Sequence, residues 1–404
     1  MSKRICIVGG SITGCTTAIA AQRRGTAPTV FEKSNGRLEE RGAGLGIPSA
    51  VAVALRDQGY IEDGFPHVSI RALVHSSVSQ GDARDGGVAG SVPTFLEAIR
   101  WGHLFDHLRS LVPDEHYRAG VAVVDAQNEG NGVAVTLSDG SIERYDVAVF
   151  ADGFRSRGRT IVCPENEPRY EGYFIWRGTL PETQIADSSR FGETLQRVGY
   201  PGGHFFAYLV PSPNGSTLVG ERELNWGMFL PLSADALKDC LLDRRGEQHE
   251  LSLPPGAMRE EIETAFKRNA KSLLPDYFAD VVARSVDTFG QGIVSTIPDT
   301  YRRGRICLAG DAGAVVPPFT TSGVYKGMKN GAELIAALAD EGNLESALDA
   351  WDLEQQTAGY GLKRLSDVMA ERLITNVPDF SAMTQDDLVE WWSVIQVTLQ
   401  ETLG

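Results

Sequence analysis

Between Lys3 and Lys33 the hydrophobic pattern changes period twice. Ile5-Cys6-Ile7-Val8 is a continuous apolar run, as in a strand buried on both faces. Gly9-Gly10-Ser11-Ile12-Thr13-Gly14 interrupts it, and the stretch that follows puts Ala18, Ile19 and Ala21 on one side of a helix ending at Gly25. Thr29-Val30-Phe31-Glu32 predicts a second strand that closes on an acid, with Lys33 beside it. Strand, glycine turn, helix, strand and acid in this order form the βαβ dinucleotide-binding pattern. Gly9 permits the sharp turn, and Gly14 lets helix and strand approach. Gly10, Ser11 and Thr13 complete a turn whose free N–H groups suit a pyrophosphate. Glu32 is placed to accept hydrogen bonds from a ribose. Ser11 stands where the GxGxxG pattern has glycine, but it is small and its hydroxyl can itself face a phosphate.

Further along, Glu40-Arg41-Gly42-Ala43-Gly44-Leu45-Gly46 allows close backbone approach to a flat ligand, and a helix from Ser49 stops at Gly59. Val68, Ile70, Ala72 and Val74 alternate as a strand before a Gly/Asp/Ser-rich stretch. Phe95, Ile99, Leu104, Leu108 and Leu111 predict a helix over 95–112 that contains Arg100. Strands follow over 120–151, with Asp139-Gly140 as a hairpin turn, and the last is apolar up to Asp152-Gly153. An acid and a glycine there lie at the strand ends where open α/β sheets bind ligands. Residues 170–292 turn to short aromatic-rich strands, Gly172–Leu180, His204–Val210, Thr217–Asn225 and Trp226–Leu230, which predict an antiparallel sheet with a helix near Met258–Leu274. Arg305–Leu308 then leads into Gly310-Asp311, a Pro317-Pro318 loop, and a helix opening at Ser322-Gly323-Val324. A long helix over 344–375 and an amphipathic tail over 386–403 finish the chain, the tail predicted to cover the core.

Composition narrows the function classes. With 404 residues the chain exceeds one core, so two interleaved domains are expected. A net charge of −15 leaves no basic surplus for a nucleic acid or an anionic membrane. No apolar run has the length of a spanning helix. Five scattered cysteines without a CxxC, and seven scattered histidines without HExxH, point to reduced thiols in a cytoplasmic protein and to no metal site.

"VFADGFRSRGR" resembles the "GADGxxSxVR" motif of the FAD-dependent aromatic hydroxylases, the single-component flavoprotein monooxygenases, and "GRICLAGDAGAVVPPFTTSG" resembles their "GRVxLxGDAAHxxPPxxGQG". With the Gly9 turn and Glu32, the resemblance covers residues 3–375, and the GGS turn and "GYFIWRG" are most similar to the branch containing 2,6-dihydroxypyridine hydroxylase. It implies an α/β fold, a Rossmann-like FAD-binding domain (1–66, 93–165, 293–375) interleaved with an antiparallel-sheet substrate domain (166–292, with an excursion at 67–92), plus C-terminal helices (376–404). Gly9, Gly10, Ser11, Thr13, Gly14, Glu32 and Lys33 would hold the ADP half of FAD. Arg41 and Gly44 would lie beside the flavin, and Arg100 would reach the ribityl-phosphate part. Asp152 would touch FAD, Gly310 and Asp311 would bind the ribityl chain, and Pro318, Ser322, Gly323 and Val324 would line the isoalloxazine. Ala314, Ser322 and Tyr325 stand where the family has His, Gln and Asn.

The chemistry so implied uses NADPH or NADH to reduce FAD, then O2 to form a C4a-hydroperoxide that hydroxylates an aromatic small molecule. A phenol-type substrate needs a base; His204 and Tyr208, at i and i+4 on one strand, are candidates, with Pro318 near the flavin's reactive face. Trp176, Phe206 and Trp226 are candidates for stacking the substrate. A Baeyer–Villiger or epoxidising enzyme on the same fold, and a catalytically silent flavoprotein, are the alternatives. A monomer or homodimer is expected.

Overall fold

The computed structural model describes residues 3–35, 44–77, 86–339 and 343–403. The opening βαβ unit lies in a six-stranded sheet whose spatial order is Arg302–Arg303, Ile306–Leu308, Val147–Phe150, Ile5–Val8, Thr29–Glu32 and Tyr117–Ala119. Neighbours are parallel except at the short Arg302–Arg303 hairpin. Ile5–Val8 and Val147–Phe150 are buried throughout, which is why both read as unbroken apolar runs. Helix Ile12–Arg23 packs on helix Gly323–Ala339 through small residues. A Cβ on Gly327 would lie 2.2 Å from Thr13 Oγ1, and one on Gly331 would lie 2.0 Å from Thr17 Oγ1.

The second sheet has nine strands in the order Ser252–Leu253, Phe289–Ser295, Arg169–Pro181, Glu223–Pro231, Gly203–Val210, Thr194–Tyr200, Val68–Ser77, Gly87–Arg100 and Gly44–Pro48. It is antiparallel apart from the pairing of Thr194–Tyr200 with Val68–Ser77. Helices Glu260–Leu273 and Asp276–Arg284 cover one face, where Phe266 stacks on Trp176 at 4.2 Å and Phe278 lies 5.5 Å from Phe205. The other face meets the C-terminal helices, Leu344–Ala370 with a π-helical turn at Glu371–Thr375, and Gln385–Leu403. Leu388, Trp392 and Ile395 are buried, so the tail covers the core. Its Gln385 exchanges hydrogen bonds of 2.9 and 2.8 Å with the backbone of Ser91, extending the strand's polar edge into a side chain. The architecture is a Rossmann-like α/β part interleaved with an antiparallel sheet and followed by helices. Among the described residues no helix is long and apolar enough to cross a membrane.

Local expectations fail at three places. The helix predicted over 95–112 begins only at Trp101; Gly87–Arg100 is a strand, held between Val68–Ser77 and Gly44–Pro48. Pairing on both sides outweighs a helical spacing of Phe95, Ile99 and Leu104. Thr217–Arg222 is loop, and Glu223–Pro231 is one strand rather than the end of one and the start of another. Thr194–Tyr200, unpredicted, is a central strand.

Candidate active site

The glycine turn is built from close contacts that only glycine permits. Gly9 has φ +100°, and a Cβ there would lie 2.3 Å from the Ala151 carbonyl oxygen. A Cβ on Gly14 would lie 1.9 Å from the Gly9 carbonyl oxygen. Glu32 Oε2 accepts from Gly10 N–H and its Oε1 from Ser34 N–H, each at 2.8 Å. The carboxylate therefore staples the turn to the second strand, with a lone pair on each oxygen left for another donor. Tyr117, unnoticed in the sequence, donates to the Gly10 carbonyl at 3.1 Å from beneath the Arg109 guanidinium. No side chain caps the helix at Ser11, and its first turn carries no acid, so its leading N–H groups face outward uncompensated. Lys33 is exposed next to Glu32, and Arg41 lies outside the described residues.

Two further corners meet this turn. Asp152 accepts from Arg157 N–H at 2.7 Å through Oδ2, whereas its buried Oδ1 has no partner. Burial pushes its pKa up, against the hydrogen bonds that pull it down. Arg159, buried in the same motif, donates to the carbonyls of Asp311 (3.0 Å) and Ala312 (3.1 Å) and to that of Phe154, clamping the Asp152 and Asp311 turns together. Buried Lys326 pairs with Asp311 at 3.1 Å and donates to the Ala314 carbonyl. Neither clamp was singled out in the sequence, because an arginine and a lysine in polar stretches carry no local mark of burial. Gly310 takes φ +64° beside Thr13. Ser322 Oγ pairs with Thr320 Oγ1 at 2.8 Å, Val324 is half-buried, and the Tyr325 hydroxyl is buried without a partner. Pro318 is exposed on a tight turn that closes at Thr321, φ +56°.

These corners suit a dinucleotide on two observations: Asp152 Oδ1 is a buried acceptor left unsatisfied, and a Cβ on either Gly153 or Gly323 would meet nothing within 4 Å, so both turns open onto free space. Gly44 opens the edge strand Gly44–Pro48 of the second sheet. Its N–H donates to Asn225 Oδ1 at 3.0 Å, and its carbonyl accepts from Arg177 at 3.2 Å, leaving Arg177 Nε and Asn225 Nδ2 buried and unpartnered. Arg100 is the register partner of Gly44, and its charge is met by Glu223.

The face of the nine-stranded sheet away from the two covering helices carries His204, Phe206 and Tyr208, alternate residues of one strand. The His204 ring lies 4.7 Å from Phe229 and 6.4 Å from Phe319, the residue after Pro318, so this face meets the Pro317–Gly323 loop. Trp176 and Trp226 are on the opposite face. Both stack on Phe266, and Trp226 Nε1 donates to Ser285 Oγ at 2.8 Å. The structure thus corrects the reading of these tryptophans as substrate platforms and retains Phe206 on the face with His204. Burial pushes the Tyr208 hydroxyl up to about 12, against the lowering pull of Arg177, so it remains protonated at neutral pH and cannot serve as the base there. Elsewhere, Asp243, Glu247 and His249 bring ligand-type atoms within 4.8 Å of one another; Asp243 Oδ1 accepts from the N–H groups of Arg245 and Glu247, and its Oδ2 lies 3.1 Å from His249 Nε2.

Two buried histidines on this face make stability depend on pH. His204 and His75 are both held well below the usual histidine range, by burial first and then by the Arg197 charge between their strands. In the folded chain they stay neutral where the unfolded chain binds protons. Unfolding therefore takes up protons below the ordinary value of about 6.5, and stability is complete above it and lost as pH falls. Each contributes a slope of up to ~1.4 kcal/mol per pH unit in that window. Urea unfolding followed downward from neutral pH should show this loss, and His75→Phe should remove about half of it. A pH-independent stability through that window would contradict the assignment.

A family model described as FAD binding domain-like matches residues 170–295, the stretch that forms most of the nine-stranded sheet. Over 378 residues the chain is 26% identical to 2,6-dihydroxypyridine 3-monooxygenase of Paenarthrobacter nicotinovorans, covering 92% of this chain and 91% of that one. The structure of 2,6-dihydroxypyridine-3-hydroxylase from Arthrobacter nicotinovorans superposes with a TM-score of 0.84 at 24% identity, over 95% of this chain and 97% of that one. Klebsiella pneumoniae HpxO, solved with FAD and uric acid, superposes with a TM-score of 0.72 at 16% identity, over 99% of this chain and 95% of that one.

Proposed function

We propose that this chain, a relative of the FAD-dependent aromatic hydroxylases, is an NAD(P)H-using FAD monooxygenase that hydroxylates an electron-rich aromatic small molecule. His204 carries the reading. Its Nδ1 lies 3.1 Å from the Leu373 carbonyl, which can only accept, so Nδ1 bears the proton of the neutral ring. Nε2 is then a bare lone pair, buried, without a partner, and on the face that meets Phe319. Leu373 belongs to the π-helical turn at the end of the long helix, a distortion that proteins tend to keep at functional sites.

When bound, FAD would supply hydride acceptance from NAD(P)H and activation of O2. Gly9, Gly14, Glu32, Asp152 and Asp311 would hold it. The other tasks fall to this chain's side chains. Phe206, Phe229 and Phe319 would position a flat ring and exclude water. His204 Nε2 would take the proton of a ring hydroxyl, raising the electron density of the ring that is to be attacked. Tyr208, kept protonated, would donate a hydrogen bond.

The test is the absorbance spectrum of the purified protein, followed by NADPH or NADH addition in air. The two flavin bands should survive gel filtration, bleach slowly with donor, bleach faster with an accepted aromatic compound, and recover with O2. A protein that neither is yellow nor retains added FAD would overturn the cofactor. A yellow protein indifferent to both donors with every compound would be a binding protein, not a monooxygenase.

A further inference from the structure

We propose that Arg197, with His75 and His204, forms a closed subsite for an anionic group carried by the substrate ring, a carboxylate or a ring oxyanion. This deepens the reading just given and rests on it for the identity of the ligand as a substrate.

Arg197 sits in the unpredicted strand Thr194–Tyr200. Its register partners are His75 on one side and Phe206 on the other, so the three share the face that carries His204. Gly199, two residues on, is the partner of His204, which places His204 diagonal to Arg197. Arg197 is 6% exposed, and its Nε and Nη1 have no hydrogen-bond partner; among the described residues it has no ion-pair partner either. Both ring nitrogens of His75 and Nε2 of His204 are likewise buried and unpartnered. Unmet polar nitrogens from three adjoining strands therefore converge on one patch.

A guanidinium has only donors, so nothing but an acceptor can satisfy it. Its one evident compensation is the Trp392 ring, 5.0 Å from its central carbon. One cation–π contact offsets only part of the cost of burying an unpaired ion. The remainder calls for an anion. Phe380, Trp391 and Trp392 pack directly against the His75 ring with centroids at 5.0, 5.6 and 5.3 Å, and Phe206, which flanks Arg197 on the next strand, belongs to the face read above as holding the substrate ring. An anionic group on a ring held at Phe206 would meet the charge from the face that also carries His204. The placement also bears on the base. A proton taken by His204 puts a second cation beside Arg197, and the negative charge left on the ring offsets it.

The test uses the FAD-loaded full-length protein and two matched pairs of probes, benzoate with benzamide and 4-nitrophenolate with 4-nitroanisole. Binding is read from the perturbation of the flavin spectrum and, for nitrophenol, from its own ionisation. At least one anion should bind about tenfold or more tightly than its neutral counterpart, and which pair shows the preference tells a carboxylate from an oxyanion. Arg197→Gln should erase the preference while leaving the neutral probe and FAD retention unchanged, and Arg197→Lys should restore part of it. Equal binding within both pairs, no measurable binding of either anion at millimolar concentration, or a preference that survives Arg197→Gln overturns the subsite. The wild-type comparison decides the question even if the glutamine variant fails to fold. An anion preference in a protein that never oxidises NAD(P)H would sink the monooxygenase reading and leave the subsite standing.

Discussion

Replacing Gly14 by alanine is expected to abolish FAD retention and to destabilise the fold. The added Cβ would lie 1.9 Å from the Gly9 carbonyl oxygen, a backbone atom that cannot swing aside. Gly9 has little room to retreat, because a Cβ at its own position would lie 2.3 Å from the Ala151 carbonyl oxygen and its N–H donates to the Phe31 carbonyl at 2.8 Å. Gly10 is tied to Glu32 on the same turn. The helix start would have to lift from the strand, and its uncapped N–H groups would leave the line along which they meet a phosphate. Overpacking of this kind costs about 1–3 kcal/mol in the fold. The loss of aligned donors should weaken FAD binding by ~100-fold or more, equivalent to about 3 kcal/mol. Gel filtration with absorbance detection and urea unfolding measure the two effects. Gly64→Ala, at a position with nothing within 4 Å of the added Cβ, is the control and should change neither. A Gly14→Ala protein that remains yellow with wild-type stability would refute the close-packing account of the turn.

That turn was legible in the sequence because its determinants are contiguous. Strand, glycines, helix and acid all fall between Ile5 and Glu32, and local chemistry decides their conformation. The Asp152 and Gly310-Asp311 corners were legible for the same reason, each at the end of a short buried strand. The antiparallel sheet was recognisable as a sheet, but its faces were not. Trp176 and Phe206 are equally plausible ring platforms on paper; one residue of parity separates a face covered by helices from one that is not, and only the distant helix carrying Phe266 settles which is which. Thr194–Tyr200 escaped because Gln196, Arg197 and Gly199 read as polar loop, though the strand is paired on both edges. His75 and Arg197 lie more than a hundred residues apart in sequence and become neighbours through a single parallel register. A polar side chain alone carries no sign that it will be buried without a partner, so the feature that most distinguishes this site was beyond sequence reasoning.

Replacing His204 by glutamine is expected to lower kcat by about 10²–10⁴-fold on a hydroxyl-bearing aromatic substrate, the range a positioned base contributes, with FAD retention unchanged. Glutamine keeps a polar group near the Leu373 carbonyl but has no basic lone pair of the histidine kind. Wild-type turnover should depend on the low pKa that burial and Arg197 impose on His204, and so persist to mildly acid pH. In the variant the substrate hydroxyl must ionise unaided. Its rate should therefore climb with pH until the hydroxyl's own pKa, about 10 for a simple phenol-like group, and approach the wild-type rate there. This recovery separates a base from a merely structural histidine, whose loss would lower the rate at every pH alike. Donor oxidation in the absence of substrate should be the same in both proteins, since His204 acts on the substrate and not on the flavin. A variant within twofold of wild type at neutral pH, or one equally impaired at every pH, would remove His204 from the proton transfer and leave it as the residue that anchors the π-helical turn to the sheet.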